Sequence, residues 1–494
     1  MMRRRGFLAA LAATTAWPAG AEAVLKSIRP RLRPDRAVES TDKTASLITS
    51  AKLSGTLAYC VANRANGQVL AEMNADTWVP PASVAKAITA LYALEKLGPA
   101  YRFTTGVLRV GTVQDGTLDG DLILAGGGDP TFDTDKMGDM VAALAATGLR
   151  RITGKFIAYS GALPERFAIS ADQPEHLGYN PAVSGLMLNY NRVNFVWTHA
   201  NGKVVAKMNA EGERFIPPVH MATITVADRD QPLFTYDPKP GQDQWTVAAT
   251  ALSRDGSRWL PVRQPAPYTA EVFATLCAAQ GITLPPAQVT TTPPPTGAAQ
   301  LVAHQSDTLP DLLRKMLKYS TNLTAEAVGM TSSGAGTQTG SARAMSVWAN
   351  RRFGVDIHMQ DHSGLGSSSR VTARQMMQIM HRAGAAHNGD LLQDLLREYG
   401  VADANGREMK DSRVRVHAKS GTLNFVSGLA GYITDKGTHT GTNDLCFAIF
   451  AADPDRRAAV PMQDREDPPG GSAWTKRARR LQSQLISLWS TDLH

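Results

Sequence analysis

Val79-Pro80-Pro81-Ala82-Ser83-Val84-Ala85-Lys86 joins a proline break to the start of an apolar segment. The two prolines break any preceding strand, because neither can donate to a ladder. From Ser83 to Leu97 the chain reads as a helix, with Val84, Ile88, Leu91, Tyr92, Leu94 and Leu97 covering most of its faces. A helix that is apolar nearly all round lies inside a domain, and Gly98 stops it. Ser83 and Lys86 stand three residues apart and share a helix face. A serine hydroxyl is a weak nucleophile until a base takes its proton. A lysine desolvated in an apolar helix has its pKa lowered and can be that base. The same Ser-x-x-Lys spacing recurs at Ser40-Thr41-Asp42-Lys43 in a polar stretch, so spacing alone decides nothing.

On the N-terminal side, Thr56–Ala62 and Gln68–Met73 flank the turn signal Asn66-Gly67 and predict a β-hairpin. Beyond Gly98 the pattern changes. Short strands at Gly106–Val110 and Asp121–Leu124 alternate with Gly-rich turns, a helix is expected over Lys136–Ala146, and residues 190–265 read as mostly β. Residues 285–297 hold five prolines and read as an extended connector. Helices return after it. Thr308 and Pro310 start one whose period places Leu309, Leu312, Leu313, Met316 and Leu317 on one face. The chain ends in strands at 413–418, 426–433 and 445–451, with turn signals at Asn424 and Asp435-Lys436-Gly437, an antiparallel meander. A last helix from about Ser472 carries Trp474, Ala478, Leu481, Leu485 and Trp489 on one face, expected to pack on that sheet. Its basic side leaves peripheral membrane contact open. The fold class expected is α+β.

The chain has 494 residues, and its 43% hydrophobic and 19% charged content suits globular domains with sizeable cores. No uncharged apolar run long enough for a transmembrane helix follows the N-terminus. Three widely spaced cysteines, Cys60, Cys277 and Cys446, exclude a disulfide framework and a Cys-x-x-Cys metal site. Residues 1–23 read as an export signal: Arg3, Arg4 and Arg5, then the apolar Gly6–Trp17, then Ala21-Glu22-Ala23 for cleavage. Arg4-Arg5-Gly6-Phe7-Leu8 looks like a twin-arginine motif, although Arg-rich starts also occur in ordinary Sec signals; either route would deliver the chain to the periplasm. The formal net charge is +8; losing three Arg and one Glu with residues 1–23 leaves about +6. Export argues against a nucleic-acid partner. Basic residues gather at Arg29-Pro30-Arg31-Leu32-Arg33-Pro34-Asp35-Arg36, which reads as a solvated linker.

Two further triplets match Ser-x-x-Lys in chemistry. Ser320-Thr321-Asn322 interrupts the helical pattern between Tyr319 and Leu323. Ser320 there suits relay of a proton to a leaving amine, and Asn322 suits orienting a carbonyl or Lys86; a simple turn or cap is the plainer reading. Lys419-Ser420-Gly421-Thr422 ends an alternating stretch and so lies on a strand. Lys419 suits binding a carboxylate or holding Lys86 neutral, Gly421 permits close backbone approach, and the Thr422 N–H joins that of Ser83 as a candidate oxyanion donor. The order Ser-x-x-Lys, Ser-x-Asn, Lys-[Ser/Thr]-Gly is a signature of acyl-serine enzymes that handle penicillin or cell-wall peptides.

With these motifs the chain resembles the low-molecular-mass class C penicillin-binding proteins, the D-alanyl-D-alanine carboxypeptidases/endopeptidases. The resemblance runs from about Gly55 to the C-terminal helix. It also rests on Gly126-Gly127-Gly128-Asp129-Pro130-Thr131, on Ala325-Glu326, on Asp361-His362-Ser363-Gly364-Leu365 and on Leu429-Ala430-Gly431-Tyr432. Ser420 stands where the family usually has Thr; Thr321 and His362 stand where Asp and Gly are more frequent. His358, Asp361 and His362 superficially resemble a metal cluster, but no further ligand is evident and no metal or other cofactor is expected. The resemblance implies a transpeptidase-like (β-lactamase-like) domain, an antiparallel sheet flanked by helices, built from residues 24–91 and 300–494. Two smaller domains would interrupt it: a mostly-β one from 92–118 and 190–299, and a nested α/β one from 119–189. It further implies a serine carboxypeptidase or endopeptidase acting on peptidoglycan stem peptides, with β-lactams as covalent inhibitors. Ser83, Lys86, Ser320, Asn322 and Lys419 would be catalytic, and Ser83, Ser420, Gly421 and Thr422 would bind oxyanion and substrate, the peptide lying along the Lys419 strand. A serine β-lactamase or esterase, and a silent wall-binding protein, are the competing readings.

Overall fold

The computed structural model describes residues 36–385, 389–401, 409, 412–436, 441 and 443–494. The expected export signal, the basic run up to Asp35 and Gly437 of the expected turn lie outside the described residues. Helix α1 (Arg36–Ala51) precedes the expected hairpin of β1 (Thr56–Asn63) and β2 (Val69–Met73). Its turn closes because the Asn63 carboxamide accepts from the backbone of Ala65 and Asn66 while Gly67 takes a φ of +73°. A 3-10 turn, Ala82–Val84, then leads into α2 (Ala85–Leu97), which is buried from Ala85 to Leu94.

The long excursion follows. It begins with β3 (Thr104–Gln114), β4 (Thr117–Ala125), α3 (Thr134–Ala146), β5 (Arg151–Ile152) and β6 (Phe156–Tyr159). It continues through β7 (Arg192–Ala200), β8 (Lys203–Asn209), β9 (Ala222–Ala227), β10 (Phe234–Lys239), β11 (Gln242–Ala248) and β12 (Gly256–Pro261). It closes with α4 (Pro265–Ala279), β13 (Ala287–Thr290) and β14 (Ala299–Gln305). One sheet runs β13-β6-β4-β3-β14, with β5 beside β4; two three-stranded sheets run β10-β11-β9 and β12-β7-β8. The Gly-rich run is a packing device. A Cβ at Gly126 would lie 2.4 Å from the Gly185 carbonyl oxygen, and one at Gly127 2.0 Å from that of Thr104.

The chain then supplies α5 (Leu309–Tyr319), α6 (Asn322–Ser333), α7 (Gln338–Phe353), α8 (Ala373–Ala385) and α9 (Gly389–Leu395). It finishes with β15 (Arg397–Tyr399), β16 (Val414–Leu423), β17 (Val426–Asp435), β18 (Leu445–Ala452), α10 (Pro454–Ala458) and α11 (Gly471–Asp492). These strands and the first hairpin form one antiparallel sheet, β15-β16-β17-β18-β1-β2. The two ends of the chain therefore meet in one sheet, β1 against β18 from Thr56↔Ala452 to Asn63↔Leu445. Helix α2 lies on one face with α5, α6 and α7 around it, and α11 covers the other face with Trp489 and Leu485 buried. All three cysteines are buried free thiols. No helix among the described residues is long and apolar enough to cross a membrane.

The mixed α+β architecture, antiparallel sheet and flanking helices are as expected. The expected internal boundaries are not. Strands β3 and β4 pair from Gly106↔Ala125 to Gln114↔Thr117, so a cut between 118 and 119 would fall inside a hydrogen-bonded hairpin. Leu122, Phe132, Met137 and Phe156 share one apolar core with Val193, Phe195 and Leu260. We propose that β3–β6, α3, α4, β13 and β14 form one inserted unit and β7–β12 the nested one. The Pro-rich connector contains β13, which pairs parallel with β6.

Candidate active site

Ser83 stands in the 3-10 turn, held there by a strained approach. Ala82 takes a φ of +47°, a left-handed conformation costing an L-residue roughly 1–2 kcal/mol. Gly364, at φ +75°, packs so closely that a Cβ there would sit 1.9 Å from the Ala82 carbonyl oxygen. One turn further on, Lys86 is completely buried. Its Nζ lies 2.9 Å from Ser83 Oγ, 2.7 Å from Asn322 Oδ1 and 2.7 Å from the Ser363 carbonyl oxygen. Burial pulls the Lys86 ammonium well below its ordinary pKa, and the charge of Lys419 pushes it down further against the opposing pull of Asp361 and Glu326. A neutral amine keeps two N–H bonds and one lone pair. The Asn322 and Ser363 oxygens, which can only accept, take the two N–H bonds. The lone pair is then left for the Ser83 hydroxyl proton.

Ser320 ends α5 in a left-handed conformation, φ +59°, and Asn322 begins α6 two residues on. That break, legible in the sequence, turns both side chains into the cleft. Lys419 Nζ donates to Ser320 Oγ at 3.1 Å and to the Ser420 carbonyl at 2.7 Å. Lys419 is 3% exposed, and burial followed by the charge of Arg397 lowers its pKa to about 8. Gly421 brings β16 against Ser83: a Cβ there would stand 2.9 Å from both the Pro81 oxygen and the Ser83 nitrogen. Ser83, Ser320, Asn322 and Thr422 line one cleft of about 460 Å³. The β15 partner stops at Arg397↔Ala418, so the same edge of β16 has no strand beside it from Lys419 onward among the described residues. An extended peptide can add there.

One expected site residue points elsewhere. The Ser420 hydroxyl is not among the groups that line this cleft and turns toward Tyr399 instead. There it accepts from Tyr399 OH at 3.3 Å and lines a separate cavity under α11. The Ser420 carbonyl accepts from Lys419 on the cleft side.

Several groups at the site escaped sequence reasoning. The Tyr179 carbonyl accepts from Asn322 Nδ2 at 2.8 Å, and the Ser363 carbonyl accepts from Lys86. Both are backbone atoms and carry no residue signature. Glu326, fully buried, accepts from the His362 and Ser363 amides, and Asp361 from those of Gly364 and Gly366. Burial raises both carboxyls, and the Glu326 charge adds to the rise at Asp361. Both lay in stretches singled out for resemblance, without a role. His362 is buried against Ser341 Oγ at 2.6 Å, while His358 packs its ring on Trp78. Arg479 of α11 reaches Thr422 Oγ1 at 3.0 Å, and nothing in the sequence pointed to it.

Known proteins share this arrangement of chain. The model of the D-Ala-D-Ala carboxypeptidase 3 (S13) family matches residues 41–465. A D-alanyl-D-alanine carboxypeptidase DacB from Haemophilus influenzae is 26% identical over 400 residues, covering 76% of this chain and 82% of its own. A D-alanyl-D-alanine carboxypeptidase from Actinomadura sp. strain R39 is 26% identical over 471 residues, covering 87% and 84%. The crystal structure of penicillin binding protein 4 from Haemophilus influenzae superposes with a TM-score of 0.68 at 21% identity, covering 90% of this chain and 99% of that one.

Proposed function

The chain belongs to the D-Ala-D-Ala carboxypeptidase 3 (S13) family, a family of serine hydrolases, and we propose that Ser83 is the nucleophile and Lys86 the base of its acyl-enzyme chemistry. The substrate is a peptidoglycan stem peptide ending in D-Ala-D-Ala or cross-linked through it. The observation that carries the assignment is the coordination of Lys86 Nζ, whose two acceptors leave the lone pair for Ser83 Oγ at 2.9 Å.

Ser83 Oγ attacks the carbonyl carbon and its proton passes to Lys86 Nζ. The Ser83 and Thr422 amides hold the oxyanion. The C–N bond breaks as the leaving nitrogen takes a proton from the Ser320 hydroxyl, which Lys419 replenishes across 3.1 Å. Lys86 then returns the proton it took from Ser83 to the Lys419–Ser320 pair, and, neutral again, accepts a proton from the water that attacks the ester and passes it to the departing Ser83 oxygen. A β-lactam acylates Ser83 by the same first step, but its leaving nitrogen stays tethered in the adduct. We further place the protein in the periplasm, exported by residues 1–23; the basic signal and its cleavage box support this reading.

Mass spectrometry of purified sacculi digested with the protein tests the activity. Loss of D-alanine, cleavage of cross-links or both is expected, and Ser83→Ala should give neither. Activity persisting in a folded Ser83→Ala protein would refute the assignment. Steady, fast nitrocefin turnover would move the reading to a β-lactamase.

A further inference from the structure

We propose that an aromatic cleft beside the catalytic one binds the glycan of peptidoglycan, the uncharged N-acetylated sugar chain from which the stem peptide hangs. This rests on the reading above and adds a second site to it. The cleft encloses about 740 Å³ between residues 171–176, strands β10, β11 and β12, and the loop 461–467. Gln173, Glu466 and Asp467 line both clefts, so the two are continuous. A stem peptide joins its sugar through about four residues, roughly 14 Å when extended. The sugar therefore lies within that reach of an ester on Ser83, and the adjoining cleft opens on residues that already edge the catalytic one.

The walls of this cleft are held in place. Glu466 accepts from His176 Nε2 at 2.8 Å and from Arg258 Nη2 at 2.7 Å, which pins the 461–467 loop to the inserted strands. On its floor Tyr236 tilts against the buried Trp245 at 4.8 Å, and beyond it against Phe167, 47% exposed, at 5.7 Å. An apolar floor with a few placed polar groups is how small-molecule sites are built. A sugar ring offers an apolar C–H face to such a floor and a rim of hydroxyl and amide donors to its edge. The edge supplies acceptors: the carboxylates of Glu175, Asp464 and Asp467 have no hydrogen bond or ion pair among the described residues, and a carboxylate only accepts. At the junction of the two clefts Gln173, 7% exposed, takes the Tyr179 hydroxyl on Oε1 at 3.0 Å. Its Nε2 has no acceptor among the described residues, which leaves a donor for a carbonyl of the linking peptide. Charge separates a sugar from a second stem peptide. Glu175, Asp464, Glu466 and Asp467 outnumber Arg258 and His176 even with the imidazole charged, so the cleft repels a peptide's free carboxylates and admits an uncharged chain.

Two measurements on the whole protein test this. Hydrolysis is compared for an N-acetylglucosaminyl-N-acetylmuramyl pentapeptide and for the same pentapeptide without sugar. Binding of tetra-N-acetylchitotetraose is followed by calorimetry before and after Ser83 is acylated with benzylpenicillin. The sugar-linked peptide should be favoured in kcat/KM by about tenfold or more, through KM, the scale of two hydrogen bonds. In the double variant Glu175→Ala with Asp464→Ala that preference should fall towards one, and chitotetraose binding should weaken by about tenfold. Binding should survive acylation, because the sugar has its own cleft. Equal turnover of the two peptides, a preference unchanged in the double variant, or chitotetraose displaced by the penicilloyl group would each overturn the proposal. So would tighter binding of tetralysine than of chitotetraose, which would mark the carboxylates as a cation site. A protein that takes no penicillin at Ser83 and cleaves neither peptide would instead defeat the acyl-enzyme assignment, and the calorimetry would still read the sugar cleft directly.

Discussion

Lys86 shows how a single residue's surroundings decide its chemistry. In water its ammonium would be protonated at neutral pH and useless as a base. Here burial comes first and the charge of Lys419 second in lowering its pKa, while Lys419 itself is lowered to about 8. As the proposed base, Lys86 must be neutral, so penicillin acylation should rise as pH climbs through its depressed pKa. It should fall again near pH 8, where Lys419 loses the proton it supplies to Ser320. Lys419→Met removes the neighbouring cation, so the Lys86 pKa rises. Stopped-flow acylation across about pH 5–10 should then show a slower reaction, the acid limb displaced to higher pH and the limb near 8 gone. An unmoved acid limb would exclude electrostatic coupling between the two lysines.

At the scale of elements, the site is a meeting of α2, the α5–α6 break and β16. Each was legible in the sequence for a local reason. The apolar wrap of Ser83–Leu97, the interruption at Ser320 and the alternation before Lys419 are short-range patterns. The facing of Ser420 was not legible, because a strand's alternation fixes opposite faces without saying which one meets the cleft. Gly421 is where β16 and the turn before α2 press together. Gly421→Ala would force a methyl to within 2.9 Å of backbone at Pro81 and Ser83. Overpacking of this kind costs about 1–3 kcal/mol. The displacement of Ser83 should slow penicillin acylation by about a hundredfold, measured beside a melting curve that still shows a cooperative transition. Acylation at the wild-type rate would mean that β16 does not set the nucleophile's position.

Across the whole molecule, the chain leaves the β15-β16-β17-β18-β1-β2 sheet after β2 and rejoins it at β15, and residues from both sides of that gap build one core. The excursion is not detached from the chemistry. Tyr179 receives Asn322, the Asp172 carboxylate accepts from the Ser367 amide, and the Asp172 carbonyl accepts from Arg465, so residues 172–179 edge the cleft. The interruption itself was legible from the change in pattern at Gly98 and the return to helices at Thr308. Its internal boundaries were not. The parallel pairing of β6 with β4 and β13 joins segments far apart in sequence, and a core shared by Phe156 and Phe195 leaves no mark in either segment alone.

On the proposed mechanism, Ser83, Lys86, Ser320 and Lys419 act as one chemical unit despite that excursion. Peptide mapping of the protein after brief exposure to benzylpenicillin probes that unit. A single penicilloyl ester on the peptide containing Ser83, formed at least about a hundredfold more slowly when Lys86 is replaced by Met, is the predicted result. An adduct on any other residue, or undiminished labelling of Ser83 without Lys86, would contradict it.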